Sequence, residues 1–142
     1  MLPNGAQKVY NVYVPVANYF QIEESEMLLI CYPRCTTCKK AEKFLNDIEV
    51  HFEYRDIKVN NPDYSELKSW IKKSGLPLKR WFNTSGILYR ELNLKEKLKD
   101  MSDDEKINLL STNGMLVKRP ILISDDFVLV GFREEEWNNR LK

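Results

Sequence analysis

Three closely spaced cysteines are the residues best suited to chemistry in this chain. Cys31, Cys35 and Cys38 lie within eight residues, and the sequence has no other cysteine. The Cys-x-x-Cys pair falls at the start of a predicted helix, where unpaired backbone N–H groups and the helix dipole stabilise a thiolate. A second cysteine one turn later can resolve a mixed disulfide or a sulfenic acid on the first. The spacing therefore predicts Cys35 as a nucleophile and Cys38 as its resolving partner.

Two other interpretations of the cysteines stay open. The spacing Cys31-x₃-Cys35-x₂-Cys38 also matches an iron–sulfur motif of radical enzymes, but the chain is shorter than the barrel those enzymes use. Zinc would need a fourth ligand, and the single histidine, His51, is remote in sequence. We therefore predict no metal and no cofactor. Free cysteine is also among the most buried residue types, and this structural role is favoured for Cys31, which lies within an apolar strand pattern.

Composition limits the kind of protein that carries this pair. The chain has 142 residues, of which 43% are hydrophobic and 30% charged, which predicts one globular domain. A net charge of +1 without a basic block argues against direct nucleic-acid binding, and there is no apolar run of membrane-spanning length. Three cysteines are too few for a secreted disulfide scaffold. We therefore expect a cytoplasmic protein with no membrane partner and no direct nucleic-acid partner.

The first 26 residues differ from the rest of the chain. They contain one lysine and three glutamates, and residues 9–14 alternate weakly, as in a strand that adds to a sheet edge or a partner. Met27 stands directly before the first strong apolar strand. We expect residues 1–26 to be an N-terminal extension of uncertain role and residues 27–142 to be the domain that carries the cysteines.

The elements predicted after Met27 place the cysteines between a strand and a helix. Apolar patterning predicts a strand at 28–32, a helix at 36–47 and a strand at 49–58. Further helices are predicted at 61–73, 79–82, 92–98 and, after the capping-box signal at 102–105, up to Gly114. A hairpin of strands at 120–124 and 127–130 precedes a last helix at 133–142. This order is that of an α/β, thioredoxin-like fold with a helical insert.

Two separate motifs resemble the arsenate reductase (ArsC)-like family, which also contains the Spx and MgsR transcriptional regulators. The first is YPRCTTCKKA at 32–41, and the second is KRPI at 118–121. Between them, WFNTSG at 81–86 and YREL at 89–92 look like the central insert of that family. The resemblance covers residues 27–142, and it implies a thioredoxin-like fold.

The resemblance also implies roles for individual residues. Cys35 would be the nucleophile, and Arg119 would bind an oxyanion through bidentate hydrogen bonds. Pro120 would follow Arg119 through a cis peptide bond. Thr36 and Thr37, with the amides of the first helical turn, would hold the negative charge that develops on a substrate.

The sequence departs from the family pattern at three positions. Two places where glutaredoxin-coupled arsenate reductases have further arginines fall on Asn83 and on Phe132, which precedes Arg133. Arg80 or Arg133 could compensate for that loss. Cys38 is not a feature of those reductases, but it is a feature of the Spx-type branch. These differences argue against arsenate as the substrate.

Two functions are compatible with these motifs. One is a thiol-dependent oxidoreductase, whose disulfide is reduced by a thioredoxin- or glutaredoxin-type protein or by glutathione. The alternative is a Spx-like redox-sensing transcriptional regulator, in which the same disulfide alters binding to the RNA polymerase α subunit. The insert at 83–86 lacks the basic residue expected of Spx, so the sequence favours the oxidoreductase.

Overall fold

The computed structural model describes residues 26–142, so the strand predicted at 9–14 lies outside the described residues. In that part of the chain the strands are β1 (Met27–Cys31), β2 (Phe52–Asp56), β3 (Ile121–Ile123) and β4 (Val128–Val130). The α-helices are α1 (Thr36–Asp47), α2 (Tyr64–Ser74), α3 (Ile87–Glu91), α4 (Leu94–Lys97), α5 (Asp103–Leu110) and α6 (Glu134–Leu141). Short 3₁₀ turns cover Leu78–Trp81, Leu98–Asp100 and Gly114–Leu116. None of these helices is long and apolar enough to cross a membrane.

The four strands form one mixed sheet in the order β2-β1-β3-β4. β1 and β2 run parallel, and α1 makes the crossover that two parallel strands require. β3 pairs antiparallel with β1 and continues into β4 as the predicted hairpin. The helices from α2 to α5 stand between β2 and β3 as an insert. The molecule therefore has the α/β thioredoxin-like fold with a helical insert that the order of elements predicts.

The sheet separates two hydrophobic cores, and alternation along β1 decides which core each side chain enters. Leu29 and Cys31 face the core that contains α1 and α6, whereas Ile30 faces the core built with the insert. The predicted helix at 36–47 agrees with α1 at both ends. Its apolar face therefore carries Cys38 into the same core as Cys31, beside Trp137 of α6.

The insert is held to the sheet by an ion pair between β2 and the first turn of α2. Arg55 donates two hydrogen bonds of 2.8 Å to the carboxylate of Glu66 and a third to the carbonyl of Asn60. Glu66 also accepts the backbone N–H of Asp63, which completes a capping box. The hydrogen bonds from Arg55 hold the pKa of Glu66 below its usual value. This carboxylate therefore stabilises both the start of α2 and its contact with the sheet.

The predicted end of the fifth helix at Gly114 is wrong. The helix ends at Leu110, and Gly114 begins a 3₁₀ turn. A Cβ atom at Gly114 would lie 1.8 Å from the carbonyl oxygen of Ile57, just after β2. Glycine stands here because the backbone of the insert approaches that of the sheet closely, and this long-range contact has no signature in the local sequence.

Larger differences from the predicted boundaries occur at Asn93 and before β2. The helix expected at 92–98 begins only at Leu94, because Asn93 has a φ of 53° and separates it from α3. Asparagine is one of the few non-glycine residues that adopt this left-handed conformation. The strand expected at 49–58 is limited to β2, because Glu49 has a φ of 60° and the N–H of Val50 bonds the carbonyl of Leu45 in α1. The residues before β2 therefore cap a helix instead of extending the strand.

Replacing Glu66 with Gln tests the ion pair through its pH dependence. Because Arg55 lowers the pKa of Glu66 in the folded state, the stabilisation is present above the unfolded pKa of about 4.3 and is lost as the pH falls through the folded value. We expect Glu66→Gln to lower the free energy of unfolding by about 1 kcal/mol at pH 7, with the difference closing in acid. Urea unfolding at pH 7 and pH 3 measures both effects.

The matched control is Asp47→Asn, which removes the exposed partner of Lys43 within α1. Exposed pairs of this kind contribute little, so this variant is expected to unfold like the wild type at both pH values. A difference for Glu66→Gln that persists unchanged at pH 3 would contradict the assignment of the effect to the carboxylate charge.

Candidate functional site

The three cysteines meet where β1 ends and α1 begins. Cys31 is the last residue of β1, Cys35 is the N-cap of α1, and Cys38 lies in the first helical turn. The N–H of Cys35 donates to the carbonyl of Tyr32 at 2.9 Å, which closes the turn between strand and helix. All three are free thiols, of which Cys31 and Cys38 are buried and Cys35 is half-buried. Cys35 is therefore the sulfur that a substrate reaches first.

The sulfur of Cys38 is the acceptor at the centre of this group. It accepts a hydrogen bond from the backbone N–H of Tyr32 at 3.3 Å, and the thiols of Cys31 and Cys35 are close enough to influence it. The interaction with the thiol of Cys31 is the main reason that the pKa of Cys38 is lowered; the N–H of Tyr32 and the charge of Arg119 also lower this pKa, while burial opposes them. The same interaction, together with burial, raises the pKa of Cys31 well above its usual value. Within this buried pair, Cys38 is therefore the thiol whose ionised form is favoured.

Arg119 supplies the positive charge at this junction. Its peptide bond to Pro120 is cis, as the resemblance implies. The guanidinium lies over the ring of Tyr32, with 5.2 Å between the Cζ atom and the ring centroid. Its Nη1 atom is buried and has no hydrogen-bond partner among the described residues. A buried N–H group of this kind is a donor available to an anion.

A cavity of about 670 Å³ opens beside Cys35. Its wall includes Thr37, four cationic side chains and one acidic side chain; the cationic ones are Arg80, Lys118, Arg119 and Arg133, and the acidic one is Glu91. Asn83 and Phe132, the two positions at which the resemblance to glutaredoxin-coupled arsenate reductases implies arginines, also line it. The electrostatic character of the cavity is therefore positive, and its walls suit an anionic ligand.

Two predicted site residues lie apart from the cavity wall. Thr36 is exposed at the first position of α1, and Pro120 is buried behind Arg119; neither lines the cavity. Successive residues of a helix face different directions, so Thr37 lines the cavity and Thr36 does not. Sequence reasoning did not assign roles to Lys118 and Glu91, although both stand in the motifs that carry the family resemblance.

One wall of the cavity is fixed by Gly131, at the end of β4. Its N–H donates to the carbonyl of Pro120 at 2.8 Å, and its carbonyl accepts the indole N–H of Trp137 at 3.1 Å. Gly131 has a φ of 76°, a conformation that favours glycine. The buried Trp137 and the proline that follows Arg119 therefore hold the same backbone segment, and they set where Phe132 and Arg133 face the cavity.

Metal binding has no geometric support in the part of the chain that the structure describes. Within residues 26–142, no three histidine, cysteine, aspartate or glutamate side chains are arranged to hold a metal ion. The three sulfurs are instead engaged with one another and with the backbone of Tyr32.

Comparison with known proteins identifies the family. A model of the ArsC family matches residues 31–139, which include the whole cysteine group and the Arg119–Pro120 bond. The chain belongs to the ArsC family. Uncharacterized protein YusI of Bacillus subtilis is 49% identical to this ArsC-family chain over 106 residues, which are 75% of the chain and 90% of YusI.

Transcriptional regulators are among the curated relatives of this ArsC-family chain. The regulatory protein MgsR of Bacillus subtilis is 26% identical over 113 residues, which cover 80% of this chain and 88% of MgsR. The global transcriptional regulator Spx of Streptococcus mutans is 29% identical over 108 residues, which cover 76% of this chain and 77% of Spx.

Solved structures agree on the fold. An ArsC family related protein from Bacteroides fragilis superposes with a TM-score of 0.81 and 49% identity, over 84% of this chain and 100% of that protein. A possible arsenate reductase from Streptococcus mutans superposes with a TM-score of 0.72 and 42% identity, over 79% of this chain and 97% of that protein. This ArsC-family chain therefore has both reductase-like and regulator relatives, and its own residues have to distinguish the two functions.

Proposed function

We propose that this ArsC-family protein is a thiol-dependent oxidoreductase that acts through Cys35 and Cys38. The observation that carries the proposal is the position of Cys35, which lies in the wall of a cationic cavity and caps the helix whose first turn holds the buried Cys38. One sulfur can therefore meet a substrate and the other can attack the first. Arg119 can act on both the substrate and Cys38, because its side chain lines the cavity and its charge lowers the pKa of Cys38.

The reaction on a disulfide substrate follows from this arrangement. Cys35 passes its thiol proton to the thiolate of Cys38 and attacks one sulfur of the substrate, so a mixed disulfide forms and the other substrate sulfur leaves as a thiolate. Cys38 then gives up its proton to that thiolate and attacks the sulfur of Cys35. The Cys35–Cys38 bond forms, the second substrate sulfur leaves, and the substrate has gained two electrons. A thioredoxin- or glutaredoxin-type protein or glutathione would then reduce the internal disulfide.

An oxyanion substrate would use the same two sulfurs. Cys35 would displace a hydroxide from the central atom, and attack by Cys38 on Cys35 would release the product with two more electrons. Arg119 would hold the oxyanion, with Thr37 and the first-turn amides of α1 nearby. We expect arsenate to be a weak substrate, because Asn83 and Phe132 stand where the family resemblance implies arginines. The cavity is also large for so small an anion, so a larger anionic substrate is favoured.

Disulfide formation is the first test. Mild oxidation of the reduced protein is expected to remove the two thiol hydrogens of Cys35 and Cys38, and mass spectrometry of the digest should find these residues in one linked peptide. Cys35→Ser and Cys38→Ser should each abolish this bond and turnover, whereas Cys31→Ser should keep the bond. Absence of a Cys35–Cys38 disulfide in the oxidised wild type would remove the basis of the proposal.

The role of Arg119 is tested by comparing substrates of different charge. Loss of a charge-assisted bidentate contact should lower kcat/KM for an anionic mixed disulfide by about tenfold or more, with a smaller effect on a neutral disulfide. Arg119→Met is the test variant. Arg34→Met is the matched control, because Arg34 is exposed beside Cys35 and does not line the cavity. Equal losses for the two substrates would show that Arg119 does not recognise charge.

Relatives named as transcriptional regulators justify one competing function. In that alternative, the Cys35–Cys38 disulfide would be a switch that alters binding to the RNA polymerase α subunit. A pull-down with the C-terminal domain of that subunit, using reduced and oxidised protein, separates the two functions. We expect no firm binding in either state; binding that depends on the disulfide would favour the regulator over the oxidoreductase.

A further inference from the structure

The cavity beside Cys35 has an apolar part that the exchange between the two sulfurs does not use. Four apolar side chains that are not fully buried line it: Ile87, Leu88, Met115 and Phe132. The first two belong to α3 of the insert, and the other two lie before β3 and after β4. The same cavity holds the cationic side chains described above. Its wall is therefore amphipathic, and a ligand that has only charge would leave the apolar part in contact with water.

Ile87 is the most exposed of these apolar side chains. It is 66% exposed, and among the residues that the structure describes it packs into neither hydrophobic core. Leu88 and Tyr89 instead join α3 to the core of the insert. A single exposed apolar side chain is normal, and Val59, which is 81% exposed and does not line the cavity, is an example. Ile87 differs because other apolar side chains line the same cavity.

The charged side chains of the cavity are available to a ligand. Within the described part of the chain, neither its four cationic side chains nor Glu91 takes part in an ion pair. Glu91 follows Ile87 by four residues, so the two lie on the same side of α3, and both line the cavity. An anionic group is attracted to the arginine and lysine side chains and repelled by Glu91. The charges therefore orient a ligand that has one anionic end.

We propose that the substrate of this site is an amphipathic disulfide, in which an aliphatic chain joins the disulfide to an anionic group. The chain contacts the apolar side chains that include Ile87, and the anionic group binds the cationic side chains, with Arg119 among them. The inference rests on the proposed function, because it names the class of substrate that Cys35 and Cys38 reduce. A cavity of about 670 Å³ has room for such a molecule, whereas a site for a small oxyanion needs no apolar wall.

The two cysteines balance the reaction on this substrate. Attack by the sulfur of Cys35 breaks the S–S bond and releases one carboxyalkyl thiol, and attack by Cys38 on the mixed disulfide releases the second. The two thiol hydrogens of the cysteines end on the two released thiols, and the protein keeps the Cys35–Cys38 disulfide. One equivalent of reduced protein therefore reduces one equivalent of substrate, so a single-turnover measurement needs no other reductant.

The experiment uses symmetrical disulfides whose alkyl chains end in a carboxylate and differ only in their number of methylene groups. The second-order rate constant for oxidation of the reduced full chain is measured in single turnover, by alkylation of the remaining thiols and mass spectrometry. Each rate constant is divided by that of dithiothreitol with the same disulfide, which corrects for intrinsic reactivity. Each methylene that enters the apolar part should raise this ratio by about threefold. A ratio that does not depend on chain length would overturn the proposal.

Ile87→Gln is the test variant, and Val59→Gln is the matched control. Both replace an exposed apolar side chain by a polar one, but only Ile87 lines the cavity. Ile87→Gln should reduce the gain per methylene to below about twofold, whereas Val59→Gln should keep the gain of the wild type. Comparison of long and short chains within each protein cancels any change in folding or in the reactivity of Cys35. Equal gains in the two variants would overturn the assignment of the chain to α3.

Binding separates this inference from the proposed function. In the full chain with Cys35→Ser and Cys38→Ser, the pair cannot reduce the disulfides, and calorimetry measures their dissociation constants. Each methylene should lower Kd by about threefold, with a more negative heat-capacity change for the longer chains. If no Cys35–Cys38 disulfide forms with any of these substrates, the proposed function fails while binding still tests the cavity. If the disulfide forms and neither rate nor Kd depends on chain length, only the inference about the substrate fails.

Discussion

A single buried sulfur, that of Cys38, is the acceptor on which the site depends. Burial alone would keep it protonated, because a thiolate loses its hydration in a core. Its pKa is nevertheless lowered, since the neighbouring thiols of Cys31 and Cys35, the N–H of Tyr32 and the charge of Arg119 together outweigh the cost of burial. The thiols and the N–H group lie at the end of β1 and the start of α1, and the charge comes from the segment before β3. The sulfur therefore requires the fold to bring three separate parts of the chain together.

The topology explains how these donors meet. β1 lies inside the sheet, with the parallel β2 on one side and the antiparallel β3 on the other. The C-terminal end of β1 and the segment before β3 therefore lie at the same end of the sheet, where α1 also begins. Gly131, which bonds both Pro120 and Trp137, fixes the remaining wall. The cavity and the dithiol consequently share Arg119, and a ligand that occupies the cavity changes the electrostatic environment of Cys38.

Local sequence patterns predicted the features that depend on neighbouring residues. They failed for features that depend on contacts between residues far apart in the sequence. The bounds of α1 could be predicted because Ala41, Phe44 and Leu45 have helical spacing and all three are buried. Capping at Ser102 could be predicted because the box consists of residues three apart. The role of Gly114 could not be predicted, because it depends on the close approach of the carbonyl of Ile57, which is far away in the sequence.

The same distinction applies to the cysteines. Their spacing placed Cys35 at the helix start, and the structure has it as the N-cap of α1. Spacing did not predict that the pKa of Cys38 is lowered, because the N–H of Tyr32 reaches its sulfur only when β1 and α1 are packed. Periodicity placed Cys31 inside the core correctly.

The cavity distinguishes the two candidate functions better than the dithiol does. A redox switch needs only two sulfurs that can join and a surface that responds to their bond. A wall of four cationic side chains around about 670 Å³ is not required by a switch. Clustered like charges destabilise a protein unless something opposite in charge offsets their repulsion. Glu91 offsets only part of this charge, and the Nη1 atom of Arg119 is left as a buried donor without a partner among the described residues. An anionic substrate would offset the remaining positive charge and accept a hydrogen bond from the Nη1 atom of Arg119. For this reason the cavity favours the oxidoreductase.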